Sequence, residues 1–136
     1  MIVSESQPKT VEQMVAEAEA CIESLSPEQV AAEIGRTNIT LVDVREDDER
    51  FLEGAIPGSV HVPRGMLELS ADPDSPLHRQ ELDRNHRIIL YCSSGTRSAL
   101  SAATLNVMGY ENVAHLSGGM MAWKRGGQPV EQIPFA

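Results

Sequence analysis

Three apolar runs of strand length, residues 39–44, 87–91 and 112–116, alternate along the chain with segments that read as helices, and this alternation does most to limit the fold. Parallel strands must be joined by a crossover, usually a helix, and a strand covered on both faces is apolar at nearly every position. Ile39, Thr40, Leu41, Val42, Asp43 and Val44 form the first such run; Arg87, Ile88, Ile89, Leu90 and Tyr91 form the second. The expected architecture is α/β, with a central, mostly parallel sheet flanked by helices. At 136 residues there is room for one such unit with its own core, and not for two.

Local signals place the remaining elements. Ser26 and Pro27 read as the N-cap and first residue of a helix that Gly35 ends. The acidic segment 46–53, followed by Gly54 and by Ile56, Pro57 and Gly58, predicts a short helix and a tight turn; residues 59–62 predict a short strand. Ser75 is expected to cap a helix over residues 76–82. Ala99, Leu100, Ala103, Leu105 and Val107 predict a helix up to Gly109, and Gly118 and Gly119 precede another, carrying Met121 and Trp123, that Gly126 and Gly127 stop. Val11, Met14, Val15, Ala18, Ile22 and Leu25 recur at steps of three and four, one apolar stripe on a helix. Residues 1–24 are thus expected to be an extra N-terminal helical extension, and residues 25–136 the main domain. The stripe packs on that domain or on a second copy, which would make a homodimer through this helix.

Charge narrows the partners. Twenty acidic against eleven basic residues give a formal charge of −9, which repels phosphate backbones and anionic lipids, so neither nucleic acid nor membrane is expected as a partner. Two cysteines, Cys21 and Cys92, make no disulfide framework and show no zinc spacing. His61, His78, His86 and His115 share no ligand spacing, so no metal or other cofactor is expected. With no apolar run of bilayer length and no basic, then apolar, leader, a cytoplasmic protein is the expectation.

The chemistry concentrates where the second strand runs into Cys92, Ser93, Ser94, Gly95, Thr96, Arg97 and Ser98 and a helix follows. In parallel α/β sheets, ligands bind at the carboxyl ends of strands. A cysteine there faces the free N–H groups and positive end of the next helix, which favour the nucleophilic thiolate. Small and hydroxyl residues let the backbone curl and aim its amides inward, and Arg97 adds a fixed charge suited to an anionic substrate. Packing alone would explain a buried cysteine but not this company.

These segments resemble the rhodanese family. Leu41, Val42, Asp43, Val44 and Arg45 with Phe51, then Gly54 to Ser59, look like its first signature; Tyr91 to Ser98 look like its catalytic loop; Leu116 to Trp123, followed by Gly127, Gln128 and Pro129, look like its C-terminal signature. The resemblance spans about residues 25–133. It implies a single-domain sulfurtransferase that carries a sulfane sulfur as a persulfide on Cys92, taken from an anionic donor such as thiosulfate and passed to a thiol, a protein persulfide or cyanide. Arg97, Ser93, Ser94, Gly95, Thr96 and Ser98 would bind the substrate. Related phosphatases use a loop one residue longer, so the four residues between Cys92 and Arg97 disfavour a thiol-based phosphatase or arsenate reductase. The intact Cys92 and Arg97 count against a non-catalytic module that only binds a partner protein.

The chain departs from the family pattern at Ser93, where many members carry a basic residue, at Ala55, where histidine is usual, and at His61, where Asn is common. Asp43 and Arg45 are candidate supporting residues near the pocket, expected mainly to fix nearby backbone and charges. Trp123 is expected in the core, and Cys21 to pack as a small residue rather than to resolve the persulfide.

Overall fold

The computed structural model of the protein describes residues 7–134. Its sheet has five parallel strands in the order β1-β5-β4-β2-β3. They are β1 (Glu23–Leu25), β2 (Ile39–Asp43), β3 (Val60–His61), β4 (Arg87–Tyr91) and β5 (Val113–Leu116). The helices are α1 (Val11–Cys21), α2 (Pro27–Glu33), α3 (Asp47–Glu53), α4 (Leu67–Ala71), α5 (Thr96–Val107) and α6 (Gly119–Arg125). The α/β class expected from the alternation is the fold observed. None of the described helices is long and apolar enough to cross a membrane.

The central strand β4 divides its side chains between two cores, as the two-residue period of a strand requires. Ile88, Leu90 and Cys92 join Val42, Val44, Leu67, Leu82, Ala102 and Leu105 on one face. Ile89 and Tyr91 join Leu41, Val30, Leu116 and Trp123 on the other. Burying each of these large side chains contributes roughly 1.5–3 kcal/mol, so Ile88, Ile89, Leu90 and Tyr91 anchor the strand that leads into Cys92. Trp123 lies fully in the core, its indole N–H donating to Pro129 O at 2.8 Å.

Helix α2 begins as expected, with Ser26 and Gln29 forming a reciprocal capping box and Pro27 in the first turn. Two expected elements differ. The apolar stripe from Val11 to Leu25 is not one helix: α1 ends at Cys21, and residues 23–25 pair in parallel with β5, which buries Leu25 in the sheet. Pairing to a buried strand outweighs the weak preference of so short a segment for helix. The helix expected over residues 76–82 is a run of turns. Ser75 Oγ accepts from Leu77 N at 3.1 Å, a side-chain turn instead of a helix cap, and Arg79 N reaches back to Ser70 O at 2.9 Å. The Tyr110 hydroxyl, 2.7 Å from Ala71 O and 3.0 Å from Leu82 O, fixes the two ends of that segment. Helix α1 lies against α5, with Ala18 buried, while Val11 and Met14 remain exposed. Cys21 does not pack as expected; it is exposed on a groove of about 500 Å³ between α1 and α5.

Candidate active site

The loop after β4 curls around its own first residue. Gly95 takes a left-handed φ of +105°, which turns its N–H back to Cys92 Sγ at 3.1 Å. Ser98 N, in the first turn of α5, points at the same sulfur from 3.3 Å. Ser98 Oγ lies 3.6 Å from it. Cys92 is almost fully buried at 1% exposure, so these donors act on a sulfur largely shielded from water. Ser94 and Thr96 are exposed at the rim, and Ser93 is half-buried.

A second turn clamps this loop. Gly118 and Gly119 both take positive φ, and the α6 amides of Met120 and Met121 donate to Cys92 O at 2.8 Å and Ser93 O at 3.0 Å. A Cβ on Gly119 would stand 2.5 Å from Cys92 O. Gly119 is thus explained by close approach, since the start of α6 must touch the loop backbone to hold it, whereas a Cβ on Gly118 would meet Ala122 Cβ at 2.6 Å.

Arg97 faces Glu49 of α3, a residue the sequence did not single out. Its Nη1 and Nη2 donate to the two carboxylate oxygens at 2.8 and 2.7 Å, and Ser93 Oγ donates to the same carboxylate at 3.1 Å. The Arg97 hydrogen bonds hold Glu49 down to about 2, and Glu49 in turn raises the guanidinium above its usual range. The pair fastens both ends of the loop to α3. It occupies two of the five guanidinium N–H groups, leaving the others as donors at the rim.

Asp43 and Arg45 close on one another instead of on Cys92. Asp43 Oδ1 accepts from Arg45 N and Nε at 2.9 and 3.0 Å, and Oδ2 accepts from Arg45 Nη2 at 2.9 Å and Arg50 Nη1 at 2.8 Å. Arg45 also donates to Gly54 O and lies over the Tyr91 ring. Burial alone would raise Asp43, but the Arg45 hydrogen bonds outweigh it and hold the carboxyl below its ordinary value. Burial, with Asp43 alongside, pushes the Tyr91 phenol up to about 12, so it stays neutral and donates or accepts as a hydroxyl among Ile56 N and Ser59. His61 reaches Arg45 O at 2.6 Å. These residues shape the β2 end that flanks the loop.

Behind Cys92 stands His115, weighed in the sequence only as a metal ligand because its partners come from distant segments. It is fully buried, with Nδ1 2.9 Å from Ser98 Oγ and Nε2 3.1 Å from Ser24 Oγ and 3.4 Å from Glu19 Oε2. Burial lowers its affinity for a proton, and Glu19 partly offsets that.

The rhodanese-like domain family matches residues 26–126. A sulfurtransferase of Allochromatium vinosum is 32% identical over 68% of this chain and 78% of its own. The thiosulfate sulfurtransferase GlpE of Actinobacillus succinogenes is 33% identical over 79% of this chain and 88% of its own. A solved structure from Rhodopseudomonas palustris, a protein of unknown function described as a possible tyrosine phosphatase, aligns with a TM-score of 0.85 at 37% identity, covering 93% of this chain and 100% of that one.

Proposed function

The chain belongs to the rhodanese-like domain family of sulfurtransferases, and from that premise we propose that it moves a sulfane sulfur from an anionic donor such as thiosulfate to a thiol or cyanide through a persulfide on Cys92. The observation that carries this reading is the convergence of Gly95 N and Ser98 N on Cys92 Sγ at the N-terminus of α5. Such an arrangement stabilises negative charge on sulfur, first as the attacking thiolate and then as the persulfide.

In the first half-reaction the Cys92 thiolate attacks the outer sulfur of thiosulfate. A new S–S bond forms to Cys92, the old S–S bond breaks, and its electron pair leaves with sulfite. In the second, cyanide or a thiolate attacks the outer persulfide sulfur and Cys92 departs as thiolate. The unoccupied N–H groups of Arg97 meet the donor's sulfonate at the rim, and the Ser94 and Thr96 hydroxyls hydrogen-bond the persulfide or its donor. A small anionic donor and an acceptor thiol that leaves as a persulfide, a protein persulfide included, fit a chain working among reduced thiols in the cytoplasm.

The test is steady-state kinetics with thiosulfate and cyanide varied together. The proposal predicts parallel double-reciprocal lines, the mark of a covalent intermediate released in two steps, and no turnover by Cys92→Ala. The similarity to a possible tyrosine phosphatase makes aryl phosphate the informative control. Hydrolysis of aryl phosphate without sulfur transfer would replace this reading by the phosphatase one. With only four residues between Cys92 and Arg97, the reading expects none.

A further inference from the structure

We propose that Glu19, His115 and Ser98 form a proton relay to the Cys92 sulfur, so that the helix preceding the family-matched segment positions and charges the nucleophile. The inference rests on the reading of Cys92 as the nucleophile, and it adds a residue, Glu19, outside the matched residues 26–126.

The observation is a continuous polar line through a buried sheet. His115 is fully buried in β5, in register with Ser24 of β1 on one side and Leu90 of β4 on the other. An apolar residue there would satisfy the core without partners, whereas a buried imidazole needs both ring nitrogens bonded. Both are. Ser98 Oγ serves Nδ1 at 2.9 Å, and Ser24 Oγ and Glu19 Oε2 serve Nε2 at 3.1 and 3.4 Å. From Ser98 Oγ the next step, 3.6 Å, is Cys92 Sγ. The titratable groups facing the ring are Glu19 from α1 and, through Ser98, Cys92 from the end of β4; β1 and α5 present hydroxyls.

The carboxylate fixes the direction of the relay. An anion beside Nε2 favours the tautomer with its proton there, which leaves Nδ1 to accept from the Ser98 hydroxyl. Ser98 Oγ also lies 3.2 Å from Gly95 O, farther than from Nδ1. Its oxygen then accepts the Cys92 thiol proton. In the step, the Cys92 S–H bond breaks and its proton bonds to Ser98 Oγ, while the original Ser98 proton passes to His115 Nδ1. A neutral thiol and neutral imidazole become a thiolate and an imidazolium, with no oxidation or reduction. Glu19 stabilises the imidazolium against the cost of burying it.

The sign of one substitution separates this relay from its alternatives. A carboxylate acting on Cys92 only through space disfavours the thiolate, so Glu19→Gln would speed its alkylation; a carboxylate that only fastens α1 would leave the pH profile unmoved. The relay requires the reverse of the first. In the Cys21→Ser background, iodoacetamide capture of Cys92 at pH 6.5 is expected to slow about two- to fivefold in Glu19→Gln, the size of a partly exposed ion pair, with the rates converging at high pH. In a Ser98→Ala background, where the line is cut, Glu19→Gln should have no effect. Unchanged or faster capture in Glu19→Gln, or equal slowing in the Ser98→Ala background, would overturn the relay. Glu19 is 42% exposed, so its substitution tests the relay without endangering the fold. Alkylation needs no sulfur donor; failure of the sulfurtransferase reading would show separately, as the absence of a persulfide.

Discussion

Replacing Glu49 by Gln keeps the shape of the side chain that joins α3 to the loop from Cys92 to Ser98 and removes its charge. The amide keeps one oxygen, enough for Ser93 Oγ or for Glu46 N but not for both, which use different carboxylate oxygens, and it lacks the paired anion that meets Arg97 Nη1 and Nη2. The carboxyl titrates at 4.5 when free and at about 2 in the folded protein. Because the folded value is the lower, the stabilisation is complete above 4.5 and is lost as pH falls through about 2. With Arg97 37% exposed, solvent screens the pair, and the contribution at pH 7 is about 1–2 kcal/mol, between a surface pair and a buried one. Urea unfolding at a series of pH values reads this directly. The wild type should exceed the variant by that amount at pH 7, and the difference should shrink to less than half by pH 3. The freed guanidinium should also raise kcat/KM for thiosulfate about two- to fivefold at low salt, an advantage that high ionic strength removes. Equal stabilities at pH 7, or a difference that stays constant down to pH 3, would refute the ion pair as the fastening of the loop.

Two further substitutions probe the frame around Cys92. Gly119→Ala combines a left-handed φ with a Cβ 2.5 Å from Cys92 O, so it should cost about 2 kcal/mol or more in urea unfolding and slow Cys92 alkylation, whereas Gly35→Ala, also at positive φ but facing open space, should cost about 1 kcal/mol and leave alkylation unchanged; equal effects would show that loop contact is not what Gly119 provides. Arg45→Met leaves the Asp43 carboxylate buried with Arg50 as its remaining cation and should cost about 3 kcal/mol at pH 7; a loss below about 1 kcal/mol would mean that the buried pair is not a structural tie.

What the sequence made legible follows the range of the interactions. Residues 39–44 and 87–91 read as strands because burial on both faces is written into consecutive residues. The loop from Cys92 to Ser98 read as a site because its residues are consecutive too. Ser26 and Gln29 cap α2 within a single turn, and that start was found. Leu25 read as helical because its spacing fits the stripe, while the force that makes it a strand comes from Leu116, far along the chain. Ser75 stands as a cap just before residues 76–82, but Tyr110 and Ser70 hold the segment in turns. Glu49's link to Arg97 and His115's place beside Ser98 are illegible in the sequence for the same reason. Each acts on the loop from another element, and neither carries a local pattern that marks it.

The proposed sulfur transfer requires that Cys92 accept and carry sulfur. Intact-protein mass after incubation with thiosulfate, with and without cyanide and beside Cys92→Ala, tests it most directly. The wild type should gain one sulfur atom, removed by cyanide and absent from the variant. No gain with thiosulfate, polysulfide or glutathione persulfide, from folded and reduced protein, would contradict it.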